Sequence, residues 1–172
     1  HKFLPVWSLA ARWKINDESW FRDWKALDDF SIRFSYGQQG NIPTSVGPNL
    51  VAQYMALAVN RFSGNYQLGI KRLPYPDLRW EKTVTTNYGL DFSLLNGRIS
   101  GTVDYYVRKG KDLIFSLPVA SEYGTTQTFR NGASMKNYGI EVGLTFIPVQ
   151  TRDFTWTLTP IYSKNTNNIS NT

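Results

Sequence analysis

Residues 80–109 read WEKTVTTNYGLDFSLLNGRISGTVDYYVRK, and this stretch decides the fold. Its side chains alternate. Trp80, Val84, Tyr88, Leu90, Phe92 and Leu94 share the even parity, while Glu81, Thr83, Thr85, Asn87, Asp91 and Ser93 take the odd one. After Asn96-Gly97 the apolar set returns as Ile99, Val103, Tyr105 and Val107, against Arg98, Ser100, Thr102, Asp104 and Arg108. Period-two alternation marks a strand with one apolar and one polar face. Asn-Gly supplies the two positive-φ positions of a type I′ hairpin. Pairing Leu95 with Arg98 then sets Phe92 opposite Gly101, Leu90 opposite Val103 and Tyr88 opposite Tyr105. A ring over a strand glycine and a pair of tyrosines on one face both stabilise such a ladder.

The same alternation recurs along the chain. Phe30, Ile32, Phe34 and Tyr36 oppose Ser31, Arg33, Ser35 and Gly37; Tyr138, Ile140, Val142, Leu144 and Phe146 oppose Gly139, Glu141, Gly143 and Thr145. Phe154, Trp156, Leu158 and Tyr162 alternate with threonines and Ser163, and a weaker pattern opens the chain with Phe3, Trp7, Leu9, Trp13 and Ile15. About six strands are expected, near 3–15, 30–37, 80–94, 98–115, 138–147 and 154–163, in an antiparallel meander. Long loops are expected at 38–79 and 116–137, and short turns at the other ends of the strands. That asymmetry belongs to transmembrane barrels. The connection 16–29 is long for the short-turn rim, and Trp20 and Trp24, at i and i+4, point to a short helical turn within it.

Strand length agrees with a membrane. About ten positions separate Ile99 from Lys109; at about 3.3 Å per residue and a tilt of about 40° they rise about 25 Å, the height of a barrel's apolar band. Lys109 therefore emerges where a charge is tolerable, as does Lys82 on the neighbouring strand; at the midplane either would cost about 2–4 kcal/mol. Arg33, Asp91, Asp104 and Glu141 have the opposite parity and would point into the barrel. The soluble alternative is a β-sandwich carbohydrate-binding module with Trp and Tyr as a sugar platform. Periodicity alone favours the sandwich; loop asymmetry, strand length and the positions of Lys82 and Lys109 favour the barrel. Six strands cannot close a barrel, and open edges are not tolerated in hydrocarbon. The chain, whose two ends look like cuts, is therefore expected to be part of a larger wall.

Bulk properties narrow the function. The 172 residues are 41% hydrophobic, 19% charged and 15% aromatic, with a net charge of +6 and no cysteine. Disorder is not expected, and a disulfide scaffold is excluded. The basic residues are scattered apart from Lys71-Arg72 and Arg108-Lys109-Gly110-Lys111, so nucleic-acid binding, which needs a clustered stripe, is not expected. No run approaches the 18 apolar residues of a membrane helix. The only histidine is His1, which leaves no His-based catalytic or metal cluster. Asp91, Asp104 and Glu141 lie on different strands and read as lumen-wall polarity rather than as a glycosidase pair. Gly37-x-x-Gly40 precedes a loop rather than a helix and is no phosphate cradle. No enzyme activity, metal or cofactor is expected.

Three stretches resemble the SusC/RagA family of TonB-linked outer-membrane transporters of the Bacteroidetes. The first runs from Pro76-Asp77-Leu78-Arg79-Trp80-Glu81-Lys82-Thr83 through Asn87-Tyr88-Gly89-Leu90-Asp91-Phe92 and Asn96-Gly97-Arg98-Ile99-Ser100-Gly101-Thr102-Val103-Asp104-Tyr105-Tyr106 to Lys111-Asp112-Leu113-Ile114. The others are Ser35-Tyr36-Gly37-Gln38-Gln39-Gly40-Asn41 and Gly132-Ala133-Ser134-Met135-Lys136-Asn137-Tyr138-Gly139-Ile140-Glu141. Order and spacing agree over most of residues 3–147; loop 42–75 and the tail after 150 carry little of the likeness. The resemblance implies an all-β, 22-stranded transmembrane barrel with an internal plug, in the Gram-negative outer membrane among its lipid and lipopolysaccharide. It implies import of a large nutrient, a glycan or a peptide, with a SusD-like surface lipoprotein over the mouth and energy from TonB through segments absent here. A structural subunit of a larger outer-membrane assembly is the alternative on the same fold. In the long loop, Tyr54, Tyr66 and Tyr75, with Phe62, Arg61, Lys71 and Arg72 nearby, are the expected substrate or partner contacts, unless they pack the loop on itself.

Overall fold

The computed structural model describes residues 4–171 except 22–25, 45 and 60–62. Among the described residues nine strands follow one another: β1 (Trp7–Lys14), β2 (Leu27–Asn41), β3 (Val51–Val59), β4 (Tyr66–Arg72), β5 (Glu81–Leu94), β6 (Ile99–Pro118), β7 (Gln127–Gln150), β8 (Thr155–Leu158) and β9 (Ile161–Asn171). Seven of them form one antiparallel sheet in the order β1, β2, β5, β6, β7, with both β8 and β9 on the far side of β7. β3 and β4 form a separate hairpin inserted between β2 and β5.

The β5–β6 register is the one the hairpin sequence predicts: Phe92 faces Gly101, Leu90 faces Val103 and Tyr88 faces Tyr105. The turn itself differs. Leu95, Asn96 and Gly97 all have positive φ, and Leu95 leaves the ladder to donate its N–H to the Ala26 carbonyl at 2.9 Å. Asp28 Oδ2 accepts the Gly97 N–H at 2.9 Å. The neighbouring connection thus caps this turn.

Other expected boundaries shift. The loop expected at 38–79 holds the last residues of β2 and the whole β3–β4 hairpin; that expected at 116–137 shrinks to 119–126, because β6 and β7 run on as a paired ribbon. Beyond the apolar band both faces of a strand meet water, so alternation ceases to reveal the strand. The final strand near 154–163 is two segments, interrupted at Pro160, whose ring nitrogen cannot donate to the ladder. The Pro160 carbonyl still accepts from Leu144 N at 3.0 Å. The polar tail is strand as well, pairing with β7 from Ile161↔Gly143 to Asn171↔Ala133. In the connection 16–29 the structure places a 3-10 turn at Ile15–Asp17; Trp24 lies outside the described residues.

The sheet has no apolar interior. Among the described residues only Ile15, Val46 and Ala133 are buried hydrophobics, while Leu9, Trp13, Ile32, Tyr88, Tyr105 and Ile140 of the apolar parity are exposed. A soluble domain of this length buries a core, and a sandwich buries it between two sheets. Here the apolar face has no second layer, so the sandwich reading is set aside. Register rows run across this face, such as Trp13, Ile32, Leu90, Val103, Val142 and Tyr162. Leu144 pairs with Gly101 on the same face. Among the described residues β1 pairs only with β2, and β9 only with β7.

Close packing on this face depends on Gly101. A Cβ there would come within 2.8 Å of both the Phe92 ring and the Gly143 carbonyl oxygen. Replacing Gly101 with Ala in the full-length protein is expected to cost about 1–3 kcal/mol through overpacking, measured as a lower temperature for loss of the folded band in heat-modifiability electrophoresis. Replacing Leu90 with Lys puts a charge on the same face and is expected to cost about 2–4 kcal/mol in lipid; an unchanged unfolding midpoint in bilayers would show that Leu90 does not meet hydrocarbon.

Candidate functional site

The polar face carries a charged network built on one register row. Arg12, Arg33, Gly89, Asp104, Glu141 and Ser163 lie opposite one another across β1, β2, β5, β6, β7 and β9. The row sets two cations side by side, then a gap at Gly89, then two anions. Like charges directly opposite destabilise a sheet, and the gap is what relieves them. The Arg33 guanidinium lies across β5 through the space above Gly89, where a Cβ would come within 2.7 Å of both Arg33 Cζ and Asp104 Oδ1. Gly89 is needed here for close approach.

Arg33 Nε and Nη2 donate to the two carboxylate oxygens of Asp91 at 2.8 and 2.9 Å, and Nη2 also donates to Asp104 Oδ1 at 2.9 Å. The Asp91 contact is the bidentate fork that suits a planar guanidinium, stronger and more directional than a single charged contact. Ser31, one row away and fully buried, joins the second arginine. Its Oγ accepts from Arg12 Nη2 at 2.9 Å and Nε at 3.2 Å, and donates to Asp91 Oδ2 at 3.4 Å. Arg12 also lies 3.6 Å from Asp91 and 3.8 Å from Asp29. Four strands are tied by this network. Asp91, 21% exposed, is its most shielded charge and Arg33 is 40% exposed, so each link contributes at the scale of a partly solvated pair, about 1 kcal/mol. An open concavity of about 970 Å³ lies over these groups, its lining including Arg12, Arg33, Asn87, Asp104, Glu141 and Asn167.

All four charges expected to face inward thus share the polar face. Asp91 and Asp104 meet at one guanidinium; Glu141 stays exposed beside Asp104. Neither Arg12 nor Ser31 stands out in the sequence as a member of this site. The parity of Arg12 follows from its alternation with Trp13, but its register against β2, opposite Arg33, is not assignable from local pattern.

The three tyrosines of the long loop separate. Tyr54 on β3 and Tyr66 on β4 are 70% and 67% exposed, with their rings edge to face at a centroid distance of 6.3 Å. Tyr75 is half-buried, and its phenol oxygen accepts the Asn131 N–H at 3.2 Å. Asn131 in turn clamps the returning loop: Oδ1 accepts from Arg79 N at 2.9 Å, and Nδ2 donates to the carbonyls of Arg79 at 2.9 Å and Asp112 at 2.6 Å. Arg61 and Phe62 lie outside the described residues. Tyr54 and Tyr66 present an open aromatic surface, whereas Tyr75 holds the loop on the β6–β7 ribbon. Among the described residues no group of His, Cys, Asp and Glu is arranged to hold a metal ion.

The family model described as TonB dependent receptor-like, beta-barrel matches residues 4–171. TonB-dependent receptor SusC of Bacteroides thetaiotaomicron is 37% identical over 175 residues, covering 95% of this chain and 17% of that protein. TonB-dependent receptor P26 of Formosa agariphila is 30% identical over 171 residues, covering 98% of this chain and 17% of that protein. Among solved structures, the RagAB peptide importer in its closed-closed state superposes with a TM-score of 0.81 at 25% identity, over 96% of this chain and 18% of that one. The chain therefore spans less than a fifth of the length of these relatives.

Replacing Arg33 with Met in the full-length protein is expected to leave Asp91, Asp104 and Glu141 crowded on one face and to lower stability by about 1–2 kcal/mol. Gly89→Val, which fills the path of the guanidinium, is expected to lose a similar amount. The double variant should cost little more than either single one, as a thermodynamic cycle on the unfolding midpoint will show; full additivity would disconnect Gly89 from the arginine.

Proposed function

Since this chain belongs to the TonB-dependent receptor-like β-barrel family, we propose that it forms part of the wall of an active importer that carries large nutrients, glycans or peptides, across the outer membrane. That family consists of outer-membrane transporters and receptors of Gram-negative bacteria and is not an enzyme class. The observation that carries the reading is the division of one sheet into an exposed apolar face without a covering layer and a polar face bearing the Arg12–Arg33–Asp91–Asp104 network. Such a sheet separates hydrocarbon from a polar lumen. The carboxylate–guanidinium row stiffens the wall and gives the lumen fixed charges against which an internal plug packs.

The β3–β4 hairpin leaves the sheet at the rim opposite the turn at 95–98, the rim that carries extracellular loops in bacterial barrels. There the exposed rings of Tyr54 and Tyr66 offer stacking area at low entropic cost, suited to a sugar face or to a lid protein. The lid is a SusD-like lipoprotein in this reading, and TonB supplies the energy through segments outside this chain. The solved RagAB structures are of a peptide importer, which supports import as the activity and makes peptides a cargo class to test beside glycans.

The test uses the full-length transporter in its native host, with a labelled oligosaccharide mixture and a labelled oligopeptide mixture as probes. TonB-dependent uptake of one class is expected. The Tyr54→Ala/Tyr66→Ala variant should reduce that uptake about tenfold or more, the loss of about one contact of hot-spot size, at unchanged surface abundance. Uptake of neither class, with the protein correctly inserted, would remove the importer reading in favour of a structural subunit.

A further inference from the structure

The apolar face ends in a patch of lysines. Apart from Lys164, which faces Ile140 on the outermost strand, its rows carry no charge from Trp13, Ile32, Leu90, Val103, Val142 and Tyr162 up to Leu9, Tyr36, Thr86, Val107, Tyr138 and Thr166. In the next row Lys109 and Lys136 are direct cross-strand partners, and one row further Lys82 pairs with Lys111. All four lysines are exposed. Four like charges thus occupy adjacent positions on three strands, an arrangement that costs stability unless an anion is present. Among the described residues nothing on this face of the neighbouring strands supplies one. No Asp or Glu shares this parity on β5, on residues 99–111 of β6, or on residues 134–146 of β7. None of the ion pairs found among the described residues involves these lysines. Lys136 Nζ sits over the Tyr138 ring, 5.2 Å from its centroid.

Height adds the second constraint. Lys109 lies 11 positions beyond Arg98, where the turn ends, a rise of about 28 Å at the usual tilt, just past an apolar band about 25 Å tall. Lys82, Lys109 and Lys111 line one end of an open groove of about 600 Å³, whose remaining lining mixes Val84, Tyr88 and Val107 with Gln38 and Thr86. Cations at one end of a partly apolar groove on a lipid-facing wall match an amphiphile with anionic head and hydrocarbon tails.

We propose that Lys82, Lys109, Lys111 and Lys136 form a binding site for the phosphate groups of an outer-leaflet glycolipid, with its acyl chains along the groove below. The proposal rests on the barrel reading. The ammonium groups bind as point charges, each contributing a charge-assisted hydrogen bond to phosphate oxygen. The site holds a lipid molecule beside the long-loop rim and fixes the height of the wall in the membrane.

The experiment compares the full-length transporter with a variant carrying Lys82→Gln, Lys109→Gln, Lys111→Gln and Lys136→Gln. Glycolipid retained through purification is counted by native mass spectrometry, and thermal shifts are read with added lipid A, with enzymatically dephosphorylated lipid A and with inorganic phosphate. The wild type is expected to retain phosphorylated glycolipid, the variant at least tenfold less. Only intact lipid A should raise the unfolding temperature of the wild type. Equal retention by the two proteins, or equal shifts with dephosphorylated lipid, would overturn the site. An equal shift from inorganic phosphate alone would assign the lysines to free anions and overturn the lipid. Heat-modifiable migration of the variant reports its folding, and Lys109→Arg, which keeps the charge, should retain the lipid. A variant that folds and inserts but keeps its lipid defeats this inference alone; failure of the wild type to insert defeats the barrel reading.

Discussion

Hydrocarbon offers no hydrogen-bond partners, so every backbone N–H and C=O within it must be satisfied by the protein itself. The rest of this structure follows from that constraint. It requires strands paired on both edges across the membrane, and the antiparallel sheet of β1, β2 and β5 to β9 supplies that pairing for all but the outermost strands. It reverses the usual arrangement of a soluble fold, placing leucines and aromatic rings outside and charges inside. It also explains how so few hydrophobic residues are buried in a chain that is 41% hydrophobic: the solvent of the apolar face is lipid.

The polar face then faces the opposite problem. Charges there are partly shielded from water and close to one another, and their arrangement is settled by geometry across strands. Gly89 is the clearest case. As a strand residue it contributes no side chain, yet its emptiness lets Arg33 of β2 reach two carboxylates, Asp91 on β5 and Asp104 on β6. Gly101 performs the complementary service on the apolar face, where the Phe92 ring covers it. Two glycines on neighbouring strands, one per face, allow a charge bridge on one side and ring packing on the other.

Much of this was legible in local pattern. The Asn96-Gly97 turn set the β5–β6 register correctly, because side-chain parity and a tight turn leave one alignment that keeps apolar residues on a single face. The inward parity of Arg33, Asp91, Asp104 and Glu141 was legible for the same reason. The strand extensions at 116–118 and 127–137 were not, since alternation requires different solvents on the two faces and both are aqueous above the bilayer; 164–171 was not because it is polar on both parities apart from Ile169. The β3–β4 hairpin was hidden in the same way.

The candidate site divides along that line too. Tyr54, Tyr66 and Tyr75 looked equivalent as loop aromatics, but only backbone placement distinguishes the exposed Tyr54–Tyr66 pair from Tyr75, whose oxygen serves Asn131. The sequence by itself determined which residues face lipid and which face the lumen, because period-two geometry makes parity a local property. Only the tertiary structure decided which charges meet, that Arg12 and Ser31 join Arg33, and that four scattered lysines stand side by side. Those outcomes depend on register between strands distant in the chain, and local sequence does not encode it.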